Sequence, residues 1–583
     1  MLAITHCKPP DPLEFQSHRR KTPPRPIYRP QIDSGARGRK RAVTRLALPD
    51  ADPDATQPPP MSSARVELPP HLQRYVVDQD YASYTPRDQS VWRHVMKRLQ
   101  RHLESRAHPT YLRGLQETGI EVDEIPRLET MNEKLDRLGW RCVGVRGFIP
   151  PAVFTEMQAR GILAIAADIR SHKTIAYTPA PDIIHESSGH APIIADASYA
   201  AYLKSCGEVG FKAIASAEDR ALFEGIRNLS VVKEDPMATP EDVEHAQARL
   251  DAAAKSVRYV SESTRASRLY WWTAEYGLVG TLEQPKLYGA GLLSSIGEAE
   301  HCLTPEVRKL PLSVECANTA YDITRMQPQL FVARDFKHLS DVLADFKHSL
   351  AYIRGGDYGL DEALRSRAVN HLVLRKRGGE AIEVTGEVRE VHRAGKDTGP
   401  GLTASVIELV GPTMITSNGK CTEIPKRIDA VVLIGNERLP ARGRFSMRLA
   451  SGVEASGYVV DGHEVVDFRV WLHGRQVPVS TWAYVAVAEA ITSVAGGPAD
   501  PQRWDEYFGA LDSFTAGNSE TLARQRKAEE LPRELATLYS EVRTMRQAQK
   551  TDRARLGAIL ESSRRFGDEV LLREEIEELL AAH

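Results

Sequence analysis

The sequence predicts a mainly α-helical domain, preceded by a disordered N-terminal tail and followed by a β-rich and then an α-helical C-terminal region. Apolar residues recur at helical spacing in the first half of the chain and alternate between turn signals after about residue 365. A chain of 583 residues is long enough for roughly two to four domains. The boundaries we predict are 1–66 for the tail, 67–365 for the helical domain, 366–480 for the β-rich domain and 481–583 for the C-terminal helices.

The first 66 residues have the composition of a disordered segment. Up to residue 65 they contain twelve of the 36 prolines, and between Arg19 and Arg45 ten lysines or arginines accompany a single acid, Asp33. Such a stretch cannot bury enough apolar surface to offset the entropy of ordering it. Two alternatives are a translation start at Met61 and a basic tail that binds an acidic partner or directs targeting.

Composition and charge argue against several classes of protein. Hydrophobic residues make up 42% of the chain and the net charge is −2, so no strong field would attract nucleic acid or an acidic membrane. No run of about eighteen apolar residues predicts a transmembrane helix, and the start does not resemble a signal peptide. The six cysteines form no C-x-x-C pair, which favours a reducing compartment, so we expect a cytoplasmic protein.

Local signals place helices and one extended segment in the first domain. In TPRDQSVWRHVMKRL, Thr85 is a candidate N-cap and Pro86 suits the first helical position, while apolar residues follow at helical spacing. The segments ETMNEKLDRLGW and PPAVFTEMQARGIL continue the helical pattern, and WRCVGVRGF predicts a short extended segment. We expect one large α-helical domain with many loops.

The second half of the chain changes character after DYGLDEALRSRA. Five segments alternate apolar and polar residues between turn signals and predict β-strands: EAIEVTGEVREVH, LTASVIELVG, IDAVVLIGN, FSMRLASGVEASGYVV and EVVDFRVWLHG. From about Ser480 we expect helices again, with Pro532 dividing a long amphipathic stretch. These helices should either pack against the first domain or join copies of the chain in a homo-oligomer.

Two histidines in PDIIHESSGHAPIIAD, His185 and His190, are five residues apart. The zinc-protease motif H-E-x-x-H needs a separation of four, so this segment does not match it. On an ideal helix, residues five apart lie about 140° apart around the axis, so both imidazoles could not face one ion from a straight helix. Gly189 would allow a break or bulge before the second histidine, and Asp182 can cap the start of the helix.

A third ligand for an ion between these histidines should be a carboxylate, because no cysteine is near in sequence. Glu275 is the best candidate, since in LYWWTAEYGLVG it is surrounded by aromatic and apolar residues, where a carboxylate needs a partner or a metal. Two histidines and one carboxylate form the facial triad of non-haem Fe(II) oxygenases. The alternative is that both histidines are ordinary core or surface residues.

Four segments in this order closely resemble the family of pterin-dependent aromatic amino acid hydroxylases: YTPAPDIIHESSGHAPIIAD, YWWTAEYGL, LYGAGLLSSIGEAEHCL and MQPQLFVARDF. The resemblance spans roughly residues 75–350 and includes neither the tail nor the region after about residue 365. It implies that residues 67–365 have the fold of this family's catalytic domain. Each segment alone is a weak signal, whereas the four together are a specific one.

The resemblance assigns the metal ligands and the residues that hold the amino acid backbone. His185, His190 and Glu275 match the ligands of the catalytic Fe(II). Arg170, in ADIRSHKTIAYTP, matches the arginine that binds the α-carboxylate of the substrate, and a guanidinium group suits a planar carboxylate. Thr178, in the same segment, should help to bind the amino acid backbone.

The remaining assignments concern the substrate ring and the pterin. Trp271 matches an aromatic wall of the substrate pocket, and Phe154 matches an aromatic residue that stacks on the pterin. Glu186 matches a carboxylate on the pterin side. Ser294 and Ser295 match residues around the substrate and behind a metal-binding histidine. Each of these residues could instead have a purely structural role.

The chain departs from the family at places that line the active-site side of the domain. It has Ser187 and Ser188 where the family has two leucines, Ala180 where it has glutamate, and Ala164 where it has histidine. None of these positions is a metal ligand, so the differences bear on pterin fit and ring preference rather than on the metal.

The resemblance implies an aromatic amino acid monooxygenase with Fe(II) and tetrahydrobiopterin, or a related tetrahydropterin, as cofactors. The expected reaction is phenylalanine plus tetrahydropterin and O2 to tyrosine and 4a-hydroxypterin, because Trp271 resembles the phenylalanine and tyrosine enzymes. The alternatives are tyrosine or tryptophan hydroxylation, a zinc-dependent hydrolase, and an inactive fold used for interaction. The expected partners are the aromatic amino acid, O2 and the pterin, without nucleic acid or membrane.

Overall fold

The computed structural model describes residues 67–147, 149–175, 182–235, 237–323, 325–395, 402–417, 420–425, 428–497, 531–567 and 569–581. The tail that we predict to be disordered, Thr178, Ala180 and the segment 498–530 lie outside these residues. Among the helices of the described part, none is long and apolar enough to cross a membrane.

Helices carry the candidate site in the first part of the chain. The α-helices are α1 Pro70–Gln73, α2 Pro86–Leu103, α3 Thr110–Glu117, α4 Leu128–Leu135, α5 Pro151–Ala159, α6 Ala197–Lys212, α7 Ala217–Glu234, α8 Pro240–Ser256, α9 Glu262–Tyr270, α10 Ala290–Ser294, α11 Ile296–His301, α12 Phe336–His348, α13 Ala351–Arg354 and α14 Gly356–Ser366. Two π-helices lie among them: π1 Ile184–His190 and π2 Trp271–Glu275. Short 3₁₀ turns occupy Tyr81–Ser83, Asp136–Leu138, His172–Thr174, Ala191–Ala195 and Val314–Asn318.

Helix α2 begins at the predicted residue. The Thr85 hydroxyl accepts the N–H of Asp88 at 3.2 Å, and the Asp88 carboxylate accepts the N–H of Thr85 at 2.8 Å, which forms a capping box. Pro86 occupies the first turn, where its missing N–H removes no helical bond. Trp92 and Met96, one turn apart, are fully buried, so this helix presents an apolar face to the core.

Two small sheets lie on either side of the site in sequence. β1 Arg141–Val145 and β2 Ile162–Ala166 pair in parallel, and β1 is the extended segment that WRCVGVRGF predicts. The second sheet has the order β4-β3-β6-β5 and consists of β3 Leu278–Gly280, β4 Pro285–Leu287, β5 Arg308–Pro311 and β6 Gln329–Ala333. Since β2 precedes Arg170 and β3 follows Glu275, each sheet fixes one end of a segment that reaches the site.

The β-rich region forms an eleven-stranded sheet within the described residues. Its strands are β7 Val369–Arg375, β8 Ala381–Arg393, β9 Ala404–Ser417, β10 Lys420–Ile424, β11 Asp429–Ile434, β12 Gly443–Arg448, β13 Val453–Asp461, β14 Glu464–Leu472, β15 Arg475–Val477, β16 Trp482–Ala488 and β17 Ala490–Gly496. The order is β12-β13-β14-β16-β11-β9-β8-β7-β17, with β10 paired to β9 and β15 to β14. All five segments predicted as strands lie in this sheet.

The prediction of helices from residue 481 onward is wrong at its start, because β16 and β17 extend the sheet to Gly496. β16 pairs in parallel with β11 and antiparallel with β14. Both of its faces are buried, with Val485 and Val487 in one apolar core and Ala486 and Ala488 in another. A strand that is buried on both faces carries a continuous apolar run, so the alternation that marks a half-exposed strand is missing.

The buried carboxylate of Glu262, at the start of α9, links the helical part to the sheet. It accepts the N–H of Ala351 at 2.7 Å and the N–H of Ile214 at 3.2 Å. Both residues lie in the apolar core that contains side chains of β7 and β17. Burial raises the pKa of Glu262 to about 7. Since α9 runs directly into π2, Glu262 also anchors the helix that ends at Glu275.

The C-terminal region contains the helices Arg533–Gln547, Arg553–Ser563 and Val570–Ala581. The first and third of these pack against α2, and the second packs against the other two. The first of them begins directly after Pro532, where we predict a division. Leu538, Leu572 and Ile576 lie in the same apolar core as Trp92. The apolar faces of these helices are therefore used within the chain.

A buried ion pair joins the last helix to α2. Glu575 is paired with Arg93, and its other oxygen accepts the Nε–H of Arg546 at 2.8 Å. The neighbouring Glu574 pairs with His94 at a more exposed position. The buried carboxylate and the two guanidinium groups stabilise the fold only when all three are present, because removing one of them leaves an uncompensated charge.

Replacing Glu575 by glutamine should lower the free energy of unfolding by about 3–5 kcal/mol, because Arg93 and Arg546 then lose their shared carboxylate in a buried position. Urea unfolding followed by tryptophan fluorescence measures this change. Glu574→Gln is the matched control, one residue away and 33% exposed, and should cost less than about 1 kcal/mol. An unchanged midpoint for Glu575→Gln would contradict this role.

Glu262 should make the free energy of unfolding depend on pH. A carboxyl group whose pKa is raised by folding stabilises the fold fully below its unfolded pKa, and this contribution is lost as the pH rises through the folded pKa. The difference in unfolding free energy between the wild type and Glu262→Gln isolates this titration. This difference in unfolding free energy should fall by roughly 3 kcal/mol between pH 4.5 and about 7. A difference that stays constant over this range would mean that the carboxyl group titrates normally.

Candidate metal centre

The two histidines that are five residues apart lie on π1, a helix type in which each carbonyl is bonded to the N–H five residues on. This wide turn brings His185 and His190 together, with ring centroids 5.1 Å apart. The break or bulge that we predict at Gly189 takes the form of a change of helix type over the whole segment. Gly189 is needed for a different reason, since a Cβ there would lie 2.6 Å from the carbonyl oxygen of Ala290 on α10.

Glu275 faces both histidines from the end of π2. Its Oε2 lies 3.3 Å from Nε2 of His185, and its Oε1 lies 3.3 Å from Nε2 of His190. All three side chains are buried. The N–H of Tyr276 donates to the carbonyl of Trp271, five residues earlier, at 2.9 Å, so this ligand also lies on a wide turn. The structure thus brings together the three side chains that we predict as metal ligands.

Several polar atoms of this cluster lack a hydrogen-bond partner among the described residues. Both carboxylate oxygens of Glu275 and Nε2 of His185 are buried without one. Burial alone would raise the pKa of Glu275, but the charges of His190 and His185 hold it well below its usual range. Burial alone would lower the pKa of His185, but the Glu275 carboxylate raises it. A cation bound between the three groups would satisfy the atoms that now lack partners.

A second carboxylate, that of Glu186, is also close to the histidines. One candidate ligand atom from each of His185, Glu186 and His190 lies within 4.8 Å of the others, and all three residues are buried. We favour Glu275 as the ligand, because each of its oxygens faces a different Nε2 and neither has a donor within the described residues.

The two serines at the end of α10 make different hydrogen bonds. Ser294 Oγ lies 2.9 Å from Nδ1 of His185 and donates to the carbonyl of Ala290 at 2.7 Å, so the hydroxyl accepts the Nδ1 proton. Ser295, predicted to bind substrate, caps α11, where its Oγ accepts the N–H of Glu298 at 3.4 Å. Ser294 therefore supports a candidate ligand, whereas Ser295 stabilises a helix start.

Arg170 is buried and paired with Asp182. Its Nε and Nη2 donate to the two carboxylate oxygens at 2.7 and 2.8 Å, and Nη1 donates to the carbonyl of Ile175 at 3.2 Å. The same carboxylate accepts the N–H of His185 at 3.0 Å, so Asp182 caps the start of π1 as predicted. Burial would raise the pKa of Asp182, but Arg170 keeps it below its usual value. Sequence patterns do not reveal this pair, because a separation of 12 residues across a loop follows no helix or strand period.

Aromatic rings lie next to the candidate ligands. Trp271, on π2, stacks on Tyr321 with ring centroids 4.2 Å apart, so part of its surface serves core packing. Phe154 contacts Tyr270 edge-on at 6.2 Å, and Tyr270 lies 6.5 Å from the ring of His190. Sequence reasoning did not single out Tyr270, although its place in LYWWTAEYGLVG, the segment that carries Glu275, was a usable signal.

Another group of possible ligands consists of Glu390, His392 and Glu408, on β8 and β9. There the buried carboxylate of Glu408 contacts Nε2 of His392 at 2.8 Å and accepts from Arg389 at 2.6 Å. Both of its oxygens therefore have partners, in contrast to those of Glu275. We interpret this second group as a structural ion-pair network.

Part of this chain is similar to known proteins. The family described as biopterin-dependent aromatic amino acid hydroxylase matches residues 73–223 and 242–354. Phenylalanine-4-hydroxylase of Pseudomonas aeruginosa is 28% identical over 271 residues, which are 46% of this chain and 86% of the relative. The Mesorhizobium japonicum enzyme of the same name is 29% identical over 283 residues, 48% of this chain and 86% of the relative. A crystal structure of Chromobacterium violaceum phenylalanine hydroxylase with bound Fe(III) aligns with a TM-score of 0.37 and 26% identity, covering 48% of this chain and 88% of that one.

The two matched segments contain His185, Glu186, His190, Glu275 and Arg170, and they end before the eleven-stranded sheet begins at Val369. The sheet and the C-terminal helices have no counterpart in the family match. Residues 73–223 and 242–354 of this chain are therefore similar to the family of biopterin-dependent aromatic amino acid hydroxylases.

Proposed function

We propose that this protein is a phenylalanine 4-monooxygenase, which converts phenylalanine, tetrahydropterin and O2 to tyrosine and 4a-hydroxypterin. The observation that carries the proposal is the buried Glu275 carboxylate, whose oxygens each lie 3.3 Å from a different histidine Nε2. Both relatives described above are named phenylalanine-4-hydroxylase, which supports the choice of substrate over tyrosine or tryptophan.

The donor set fits Fe(II). Two imidazoles and one carboxylate are the ligands of non-haem Fe(II) oxygenases, and they leave open positions on one side of the ion. His185, His190 and Glu275 would hold the ion. When bound, Fe(II) supplies the redox chemistry that allows O2 to react with the pterin and the aromatic ring. The protein contributes binding, orientation and exclusion of water.

The first contribution of the protein is the protonation state of His185. Because Nδ1 donates its proton to Ser294, and Ser294 donates to the carbonyl of Ala290, a neutral imidazole keeps its lone pair on Nε2. Nε2 is the atom that faces Glu275. The ligand is therefore already oriented for metal binding, which is the role that supporting hydrogen bonds have at metal sites.

The second contribution is a rigid anion-binding group. Asp182 and the carbonyl of Ile175 engage three of the five guanidinium N–H groups of Arg170 within the described residues. We propose that the remaining donors bind the α-carboxylate of phenylalanine, and that Thr178 assists. A guanidinium group held on both sides loses little side-chain entropy when the substrate binds.

Aromatic side chains supply the pocket walls in this proposal. Trp271 would line the substrate ring, and Phe154 the pterin ring, with Glu186 on the pterin side as well. Both aromatic residues are buried. Trp271 lies on π2 itself, and Phe154 is connected to the ring of His190 through the ring of Tyr270. Tetrahydrobiopterin or a related tetrahydropterin is the proposed reductant.

We also propose a cytoplasmic location, which the free cysteines of the described part support. A homo-oligomer through the C-terminal helices stays a prediction. It would have to use their outer faces, because their apolar faces lie in the same core as the apolar face of α2.

Ser294→Ala should weaken metal binding about 10- to 100-fold, because His185 loses the acceptor that fixes its orientation. The dissociation constant of Co(II) or Fe(II), titrated into metal-free protein, measures this effect. Ser295→Ala is the matched control, since it removes a helix cap worth about 1 kcal/mol of stability and should leave the dissociation constant unchanged. Equal metal affinity of Ser294→Ala and wild type would remove Ser294 from the site.

Purified protein supplied with Fe(II), tetrahydropterin, O2 and phenylalanine should form tyrosine. Glu275→Ala should fold but lose both bound iron and tyrosine formation, because one of three ligands is gone. Liquid chromatography of the amino acids and metal analysis measure the two effects. Glu186→Gln is the comparison variant and should keep its iron. Consumption of a different aromatic amino acid would overturn the substrate, and iron loss in Glu186→Gln but not in Glu275→Ala would overturn the ligand.

A further inference from the structure

Buried hydroxyl groups recur on the two wide turns that carry the candidate ligands. On π1, Ser187 donates to the carbonyl of Ile183, and Ser188 donates to the carbonyl of Ile184 at 2.7 Å. On π2, Thr273 donates to the carbonyl of Leu269 at 2.6 Å. In each case the acceptor lies four residues before the donor. All three hydroxyl residues are almost completely buried, so water does not compete for these bonds.

The spacing of these bonds has a direct physical meaning. In an α-helix, a carbonyl accepts the N–H of the residue four positions on, whereas in a π-helix it accepts the N–H five positions on. In a π-helix, the N–H of residue i+4 therefore no longer donates to the carbonyl of residue i. The side-chain hydroxyl of residue i+4 can then donate to that carbonyl in its place. Side-chain bonds of this kind compete with regular helix geometry and bend helices.

The choice between the two helix types decides where the histidines point. In α-helical geometry, residues five apart differ by about 140° around the axis, which would turn His190 away from the atoms that His185 faces. In π1 both Nε2 atoms lie 3.3 Å from the Glu275 carboxylate. The helix type, and not the side-chain rotamers alone, therefore sets the distance between the ligands.

We propose that Ser187, Ser188 and Thr273 are positioning residues, whose hydroxyl groups hold π1 and π2 in the wide register and thereby place the three metal ligands. This inference rests on the proposed Fe(II) site. The hydroxyl groups act through the backbone carbonyls to which they donate. Their effect is on the affinity and geometry of the metal site.

Thr273 is tied to a second element as well. The hydroxyl of Tyr202, on α6, donates to Thr273 Oγ1 at 2.6 Å, so the chain of bonds runs from Tyr202 through Thr273 to the carbonyl of Leu269. This relay connects the turn that carries Glu275 to a helix outside the site. A change at Thr273 should therefore displace Glu275 in the same way as changes at the serines displace the histidines.

The same type of bond in an ordinary α-helix provides a control. Ser90, buried on α2, donates to the carbonyl of Pro86 at 3.1 Å. In α2 the carbonyls keep their α-helical N–H donors, so the Ser90 hydroxyl adds a bond and replaces none. Ser90→Ala removes a buried hydroxyl with the same local pattern and should affect stability without affecting a metal ligand.

The test is metal binding by the full chain with Co(II) as the probe. The variant Ser187→Ala/Ser188→Ala should bind Co(II) at least about tenfold more weakly than wild type, the size of effect that supporting groups have at metal sites. Its visible Co(II) absorption spectrum should also change, because the ligand geometry changes. Ser90→Ala should match wild type in both measurements, even where its unfolding midpoint falls as far as that of the serine pair.

If the double variant does not fold, the single variants Ser187→Ala and Ser188→Ala and the isosteric Thr273→Val carry the same expectation. Wild-type affinity and an unchanged spectrum in the folded variants would overturn the inference. A wild type that binds Co(II) with the expected geometry but forms no tyrosine would overturn the proposed function and leave this inference standing. Tyrosine formation by the wild type together with unaltered Co(II) binding in the variants would support the proposed function and overturn this inference.

Discussion

The site depends on one electrostatic constraint, the burial of the Glu275 carboxylate with no hydrogen-bond donor from the described residues. A charged group removed from water costs several kcal/mol unless compensating charge lies close by. Here two imidazole Nε2 atoms provide the nearest compensation, each 3.3 Å from a different oxygen. Protons on the imidazoles, or a cation between the three groups, can both meet this need, which explains why the arrangement suits a metal.

The surrounding structure is organised to hold these three groups. Asp182 caps the helix that carries the histidines and holds Arg170, so one carboxylate connects the proposed metal and substrate ends of the site. Ser294 lies behind His185, at Nδ1, whereas Nε2 of the same ring faces Glu275. Close backbone packing completes the frame, since a Cβ at Gly289 would lie 2.4 Å from the carbonyl oxygen of Glu275. The sheet and the C-terminal helices attach farther away, through Glu262 at the start of α9 and through α2.

The three side chains that meet at the site could be predicted from the sequence, whereas their geometry could not. Glu275 could be found because a carboxylate in aromatic and apolar surroundings is costly to bury unless it is paired or bound to a metal. Beyond the break or bulge expected at Gly189, the π-helical geometry of π1 could not be predicted, because a seven-residue segment that is buried on all sides shows no period that would distinguish an α-helix from a π-helix. The pairing of Arg170 with Asp182 is a tertiary contact without a sequence signature. The strand β16 was missed for a related reason, since it is buried on both faces and lacks alternation.

Iron K-edge X-ray absorption of the Fe(II)-loaded protein tests the central claim most directly, because imidazole ligands give a characteristic scattering pattern that can be counted. We predict two imidazoles per iron with oxygen in the other positions, and one imidazole in His190→Ala. A sulfur ligand, a third imidazole, or two imidazoles that persist in His190→Ala would contradict the assignment of His185, His190 and Glu275 as the metal centre.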